Sequence, residues 1–596
     1  MNTSPDPFGQ LAAPDDVRTI VETALADLRR DRIIERIWQT DHTVWKSDSA
    51  EISNRLGWLS VARAMRQQVT ELETFAGEVC AAGFKHVVLL GMGGSSLCPE
   101  VFRVTFGARR GYPELIVLDS TVPAWVRRVT QSIDPARTLF IVSSKSGGTI
   151  EVMSFFKHFW ALVEKGKRGQ AGANFIAITD PGTRLHALAT QHGFRRAFLN
   201  PADIGGRYSA LSYFGLAPAA LIGIDLPALL DPALEMLTAC HTDAAANPAA
   251  LLGAALGALA RSGRDKITFV TSPAIATFGL WAEQLIAEST GKEGRGIVPI
   301  ALEPFGPPEV YSPDRLFAVL RVAGDANTSL DQHCAALKAA GHPVLTIGLK
   351  DKSAIGAEFF RWELATAIAG HILGIQPFDQ PNVQESKDNT QRVLDKYKST
   401  GALPAARDLV RTPDTARLDD FLRQAQPGDY VALMAYLDES PDIAAALAVL
   451  RAAILERYHL PNTLGYGPRF LHSTGQLHKG GPNTGLFVQL TANSTRNTPI
   501  PGELFSFGVL AAAQASGDLA ALHAHNRRAI HIELGSKPAL GIRRLLRALD
   551  GTATPRPKAS SRRKTSTGKA APKRRTAAKA ARNLKTKSAR SKSNHR

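Results

Sequence analysis

Cysteine is scarce. Cys80, Cys98, Cys240 and Cys334 are spread along 596 residues with no CxxC spacing and no histidine at metal-ligand distance in the chain. That pattern excludes a disulfide framework and a cysteine-held metal, and leaves free buried thiols in a reducing compartment, the cytoplasm. Long apolar runs are also missing: nothing reaches the roughly 18 residues of a membrane-spanning helix, so no membrane contact is expected. MNTSPDPFGQLAAPDD has neither the charged head nor the apolar run of a signal peptide. Acidic residues are absent from Thr552 to Arg596, where 16 Lys and Arg account for nearly all of the net charge of +17. The first 551 residues are therefore close to neutral, and a generally basic, nucleic-acid-coating protein is excluded for that part.

A chain of this length is too large for one core, and its 44% hydrophobic residues suffice for several. Residues 1–82 alternate apolar and charged positions at helical spacing, as in VETALADLRRDRIIERIW, and read as a helical lead-in. From residue 83 short β-branched runs alternate with helical segments: KHVVLLGMGGSS, ELIVLDS, TLFIVSSKSGG and NFIAITDPG. After the Ala-rich NPAALLGAALGALA, which reads as buried helix, a second series follows: DKITFVTSP, GIVPIALE, RLFAVLR, PVLTIGL, DYVALMAYL and GLFVQLTAN. Strand, loop and helix in repetition imply an α/β fold with parallel sheets covered on both faces. Two doubly wound domains are expected, at 83–245 and 246–545, followed by a disordered Lys/Arg/Ala-rich tail at 546–596.

In such sheets ligands bind beyond the carboxyl ends of the strands. The first loop there is Gly91-Met92-Gly93-Gly94-Ser95-Ser96. Its glycines let backbone approach an anion, and the next helix offers its positive end. A dinucleotide site is the rival reading, with Asp119 placed as a ribose ligand at the end of the next strand; the third glycine of that fingerprint is missing. Plain tight-turn use of the glycines also stays open. The second loop, Ser143-Ser144-Lys145-Ser146-Gly147-Gly148-Thr149, converges hydroxyl and backbone donors at a helix start. A simple N-cap cluster would use the same residue types. Two nests in one sheet favour a small phosphorylated ligand.

These segments, together with GGRYSALSYFGLAP (205–218), EQLIAESTGKEGRG (283–296) and FDQPNVQESK (378–387), resemble the glucose-6-phosphate isomerases over about 38–534. Within that family the chain is most similar to the isomerase half of bacterial transaldolase/glucose-6-phosphate isomerase fusions. The resemblance implies two sugar-isomerase domains, a homodimer, a sugar phosphate substrate, no cofactor and a place in glycolysis and gluconeogenesis. It implies that Gly94, Ser95, Ser144, Lys145, Ser146 and Thr149 hold the phosphate. Glu288 would be the base moving a proton between C1 and C2, with Gln284 one turn before it. Arg207 would stabilise the cis-enediolate, and Gln380 and Lys387 match the family's DQ…K motif. The chemistry suits these residue types: one carboxylate removes and returns the proton, and a permanently charged guanidinium faces the enediolate oxygen. No step requires a metal, and no ligand cluster is evident.

The chain departs from its family in one place. The family's histidine segment lies between the base and the DQ…K motif, but here EPFGPPEVYSPDRLF occupies that position, and His333, His342 and His371 have unsuitable surroundings. The stretch HSTGQLHKGG (472–481) resembles the missing segment and follows Lys387 instead. Read as a metal clip it fails, because six residues is not a helical face spacing and no Cys or acidic partner stands close. The expectation is that His472 opens the sugar ring, with His478 and Lys479 beside it in open roles.

Three other readings compete with a glucose 6-phosphate isomerase. One is an isomerase of mannose 6-phosphate or an amino sugar phosphate; another is a dinucleotide oxidoreductase. The third is a nucleic-acid-associated protein acting through the tail, whose composition suits non-specific polyanion contact at 552–596 and lacks aromatics to stack on bases.

Overall fold

The computed structural model describes residues 9–403, 409–411, 416–493 and 496–549. Its strands, numbered in chain order, begin with β1 (Gln10–Ala12), β2 (His86–Leu90), β3 (Glu114–Leu118), β4 (Thr138–Ser143), β5 (Phe175–Thr179) and β6 (Arg196–Leu199). There follow β7 (Lys266–Thr271), β8 (Val298–Ile300), β9 (Arg315–Val322) and β10 (Val344–Leu349). The last group is β11 (Leu409–Arg411), β12 (Tyr430–Tyr436), β13 (Asn462–Tyr466), β14 (Gly485–Thr491) and β15 (Arg528–Glu533). They form three sheets, with orders β3-β2-β4-β5-β6, β1-β10-β9-β7-β8 and β11-β15-β14-β12-β13.

The α/β class with parallel sheets is as expected, but the series after residue 246 divides into two sheets rather than one. Strand β12 is flanked in parallel by β13 and β14 and pairs with nothing from the second sheet. Apolar runs alone cannot reveal this, because pairing is not written in a strand's own composition. The second sheet is completed from an unexpected quarter. β1, within the lead-in read as helical, pairs antiparallel with β10, setting Gln10 opposite Thr346 and Ala12 opposite Val344.

The first sheet is central. Its strands are apolar on both faces, as a covered parallel sheet requires, and successive side chains enter different cores. Val87, Leu89, Ile141 and Ile176 join the core of the second sheet and the lead-in helices. Val88, Leu90, Val142 and Ala177 join the core of the third. Helix Pro248–Arg261, the Ala-rich segment, packs on helix Ile355–Leu373 so closely that a Cβ at Gly253 would lie 2.8 Å from the Ala365 carbonyl oxygen. Among the described residues no helix is long and apolar enough to cross a membrane.

In the first sheet β2 and β4 are neighbours while β3 lies on the far side of β2, so the direction of winding reverses between β2 and β4. This is the switch point at which open α/β sheets bind ligands, and the two glycine- and serine-rich loops follow these two strands.

The folded chain also runs past the boundary set at 546. Helix Pro538–Leu549 buries Ile542, Leu545 and Leu549, an i, i+3, i+7 stripe that packs in the third sheet's core. The remaining tail, from Asp550, lies outside the described residues. Leu545→Ala should weaken hydrogen-exchange protection in the third sheet by about 2–4 kcal/mol, the usual cost of truncating a buried leucine. Unchanged protection would show that this helix is not part of the core.

Candidate active site

Gly93 sits at φ +54°, and a Cβ there would lie 2.5 Å from the carbonyl oxygen of His472. The first glycine loop therefore closes directly against the histidine loop of the third sheet. Gly94 meets another partner: its missing Cβ leaves room for the carbonyl of Gly206, the residue before Arg207. Ser95 is buried behind these contacts, its own carbonyl accepting from Ser143 Oγ at 3.1 Å.

Asp119 does not fit a ribose-binding role. It is fully buried, and Arg469 grips it with both arms of its guanidinium, at 2.8 and 2.9 Å. Ser96 Oγ donates to the same carboxylate at 3.2 Å. The pair anchors the loop leading to His472 on the first sheet.

The second loop precedes helix Ile150–Lys167. Thr149 stands at its N-cap but makes no side-chain capping bond; its hydroxyl lies 3.0 Å from Ser144 Oγ instead. Ser146 and Thr149 line a cavity of about 430 Å³ that is shared with Glu151, Lys387 and His472. Lys145 does not line it. Its ammonium is held by Asp180 and by the Ala202 carbonyl, the latter at 2.9 Å.

His472 is oriented by a residue that the sequence did not single out. Its Nε2 donates to Glu151 Oε1 at 2.9 Å, and Gln514 Nε2 donates to the same oxygen at 2.7 Å. Burial raises the Glu151 pKa, but the neighbouring His472, the hydrogen bond from it and the Lys387 charge outweigh burial and hold the carboxyl below its usual value. An acid in the first turn of a helix ordinarily complements the helix dipole, so Glu151 carried no distinctive signal. Its only hint was its position directly after SSKSGGTI.

A cluster around Glu288 meets the His472 segment of this cavity. Helix Phe278–Thr290 carries Gln284 and Glu288 four residues apart, on one face. The Gln284 amide donates to Glu288 Oε2 at 2.9 Å and to the His472 carbonyl at 2.8 Å. Arg207 lies on the other side, with Nη1 3.5 Å from Glu288 Oε1. Its guanidinium also donates to Ser289 Oγ, Gln380 Oε1 and the carbonyls of Pro377 and Asp379, at 2.6–3.0 Å. Lys292 holds the same turn through Gln376 O and Asp379, and burial pushes its pKa down to about 8.

The structure thus brings Glu288, Gln284, Arg207, Gln380, Lys387, Ser146, Thr149 and His472 together. His478 and Lys479 are placed elsewhere. The His478 ring packs 5.0 Å from Phe487 in an apolar cluster, and burial drives its pKa far below the usual value. Lys479 forms a buried ion pair with Asp518 at 2.9 Å. The other histidines are also occupied: His371 Nδ1 contacts Val44 O, His342 Nε2 contacts Pro308 O, and His333 stacks on Phe305.

Residues 40–295 match the family model described as phosphoglucose isomerase. The glucose-6-phosphate isomerase of Rubrobacter xylanophilus is 30% identical over 385 residues, spanning 56% of this chain and 87% of that protein. The enzyme of Symbiobacterium thermophilum is 30% identical over 391 residues, spanning 57% and 87%. Among solved structures, a glucose-6-phosphate isomerase from Chlamydia trachomatis shares the fold with a TM-score of 0.55 at 18% identity, covering 67% of this chain and 89% of that one. With relatives at this identity matched over most of their own length, the chain belongs to the glucose-6-phosphate isomerase family.

Proposed function

We propose that the protein interconverts glucose 6-phosphate and fructose 6-phosphate, with Glu288, Arg207, His472 and Lys387 as its reacting groups. One observation carries the assignment of roles: the Gln284 amide joins the carboxylate of Glu288 to the backbone of His472. The base and the ring-opening group are held by a common side chain, although they come from segments far apart in the sequence.

The sugar phosphate binds with its phosphate at the second loop, where Ser146 and Thr149 line the cavity and Ser144 steadies Thr149. Ser95 and Gly94 support this loop region from the first nest. His472 and Lys387, both on the cavity, serve the ring oxygen and O1. One gives a proton to the departing ring oxygen while the other accepts the proton of the anomeric hydroxyl. In the open chain Glu288 takes the proton from C2 of the aldose. The C–H electron pair becomes the C1=C2 double bond, and the carbonyl oxygen takes up negative charge. Arg207, whose guanidinium lies 3.5 Å from Glu288, stabilises that enediolate. A proton then passes from O2 to O1, the C2=O bond forms from the O2 lone pair, and Glu288 returns its proton to C1 to give the ketose, so no electron leaves the substrate and no redox partner is consumed.

Purified protein given fructose 6-phosphate alone should yield glucose 6-phosphate; no conversion would overturn the reading. His472→Ala should lower turnover of the closed-ring sugar by about 10²- to 10⁴-fold. It should spare 5-deoxyfructose 6-phosphate, which has no C5 hydroxyl with which to close its ring. Glu288→Gln should lose both reactions. Equal closed-ring turnover in His472→Ala and the parent would remove His472 from its role.

Two further properties complete the reading. The tail from Thr552 supports salt-sensitive polyanion contact. Binding to DNA or polyphosphate at low salt should vanish on truncation at Thr552 while isomerisation persists; no binding by the full chain would exclude it. The family further supports a homodimer in the cytoplasm, a compartment compatible with four free cysteines. Sedimentation equilibrium should return twice the chain mass, and a monomer would refute the dimer.

A further inference from the structure

Gln514 lies on helix Phe507–Ala524 of the third sheet and is 2% exposed. Both ends of its amide are engaged. Nε2 donates to Glu151 Oε1 at 2.7 Å, and Oε1 accepts from Thr121 Oγ1 at 2.7 Å. If the amide were turned over, its oxygen would face a carboxylate oxygen, so the carboxylate fixes which end meets it, and Thr121 holds the amide oxygen in place. One turn further along the same helix, Asp518 pairs with Lys479 at 2.9 Å and accepts from Ser386 Oγ at 3.4 Å. Ser386 adjoins Lys387. A single helix face therefore reaches the partner of His472 and the neighbour of Lys387.

We propose that Gln514 is a positioning residue for ring opening: it holds Glu151 in place as a carboxylate and, through it, sets the orientation and tautomer of His472. This rests on the ring-opening role given to His472 above. A neutral donor directed at a buried carboxylate favours the ionised form. An ionised Glu151 accepts the N–H of His472 Nε2, which leaves the other ring nitrogen of a neutral imidazole as the acceptor. The ionisable groups facing Glu151 are His472, Lys387 and Tyr436, and the Tyr436 phenol is kept neutral by burial and by the Asp518 and Glu151 charges. Gln514 is thus a neutral donor among them, and removing it changes no formal charge. Proton transfer by Glu288 lies outside its reach, so the two half-reactions should respond differently.

The test is Gln514→Ala measured in the parent and in Glu151→Gln, with fructose 6-phosphate and with 5-deoxyfructose 6-phosphate. Closed-ring turnover should fall about 10- to 100-fold, the usual effect of losing a hydrogen bond to a charged group. Turnover of the open-chain analogue should change by less than about twofold, as expected for a residue not coupled to that step. Loss of the donor raises the Glu151 pKa, so the acid limb of kcat/KM should move to higher pH. In Glu151→Gln, which carries no charge to stabilise, Gln514→Ala should add almost nothing. If Gln514→Ala does not fold, Gln514→Met, close in length and without the donor, reads the same effect. Equal losses on both substrates, or equal factors in both backgrounds, would overturn the proposal and leave Gln514 a packing residue. His472→Ala run alongside separates the failures: if it spares the closed-ring sugar, the role of His472 falls; if it alone discriminates the substrates, only the Gln514 inference falls.

Discussion

The buried pair of Arg469 and Asp119 makes the rest of the site possible. Asp119 directly follows strand β3 of the first sheet, and Arg469 begins the turn that carries His472 from the third. Taking both charges out of water is costly, and the pair is sustained by bidentate geometry, by Ser96 on the aspartate and by Glu439 on the arginine at 3.0 Å. Removal of one partner would leave the other buried without compensation, a loss of about 3–5 kcal/mol in comparable cases. The energy of that pair fixes where the histidine loop can lie. Gly93 then lets the loop settle within contact distance of the first glycine-rich loop.

With the loop anchored, chain order ceases to matter. The helix carrying Lys387, Val383–Thr400, packs on helix Phe507–Ala524, where a Cβ at Gly517 would lie 2.9 Å from the Thr390 amide nitrogen. The lysine segment is therefore supported by elements that follow it in sequence, and the histidine segment by an element that precedes both. Displacement of the histidine behind Lys387 changes the route of the chain between strand ends, while the ends themselves meet at the switch point of the first sheet.

Much of this was legible in the sequence, and the limits have physical causes. The two nests announce themselves because glycine and hydroxyl clusters at strand ends are uncommon and chemically specific, whereas Glu288, Arg207 and Lys387 are singled out by the family resemblance. His472 was legible from its neighbours despite its position. Glu151 and Gln514 were not, since each is an ordinary helix residue until a partner from another sheet arrives. Lys145 looked like a phosphate ligand for want of any sign that Asp180 would engage it. The third sheet, the edge strand β1 and the helix ending at Leu549 share one cause. Each depends on long-range pairing or docking, and a short amphipathic segment carries no record of its partner.

The cluster around Glu288 shows why one cation there is arginine. Arg207 and Lys292 converge on the carbonyl of Asp379, at 3.0 and 2.5 Å. Both are nearly water-free, and the Arg207 charge disfavours that of Lys292. The lysine responds by giving up its proton more readily: burial and the Arg207 charge bring its pKa to about 8 despite the Asp379 carboxylate. A lysine in the place of Arg207 would face the same burial and the same neighbouring cation, and its charge would weaken as pH rose toward 8. A guanidinium holds its proton under that load and has donors enough to bind Ser289, Gln380 and two carbonyls at once. In the proposed mechanism the enediolate would therefore meet a charge whose position is set before substrate arrives, and preorganised charge of that kind is what transition-state stabilisation requires.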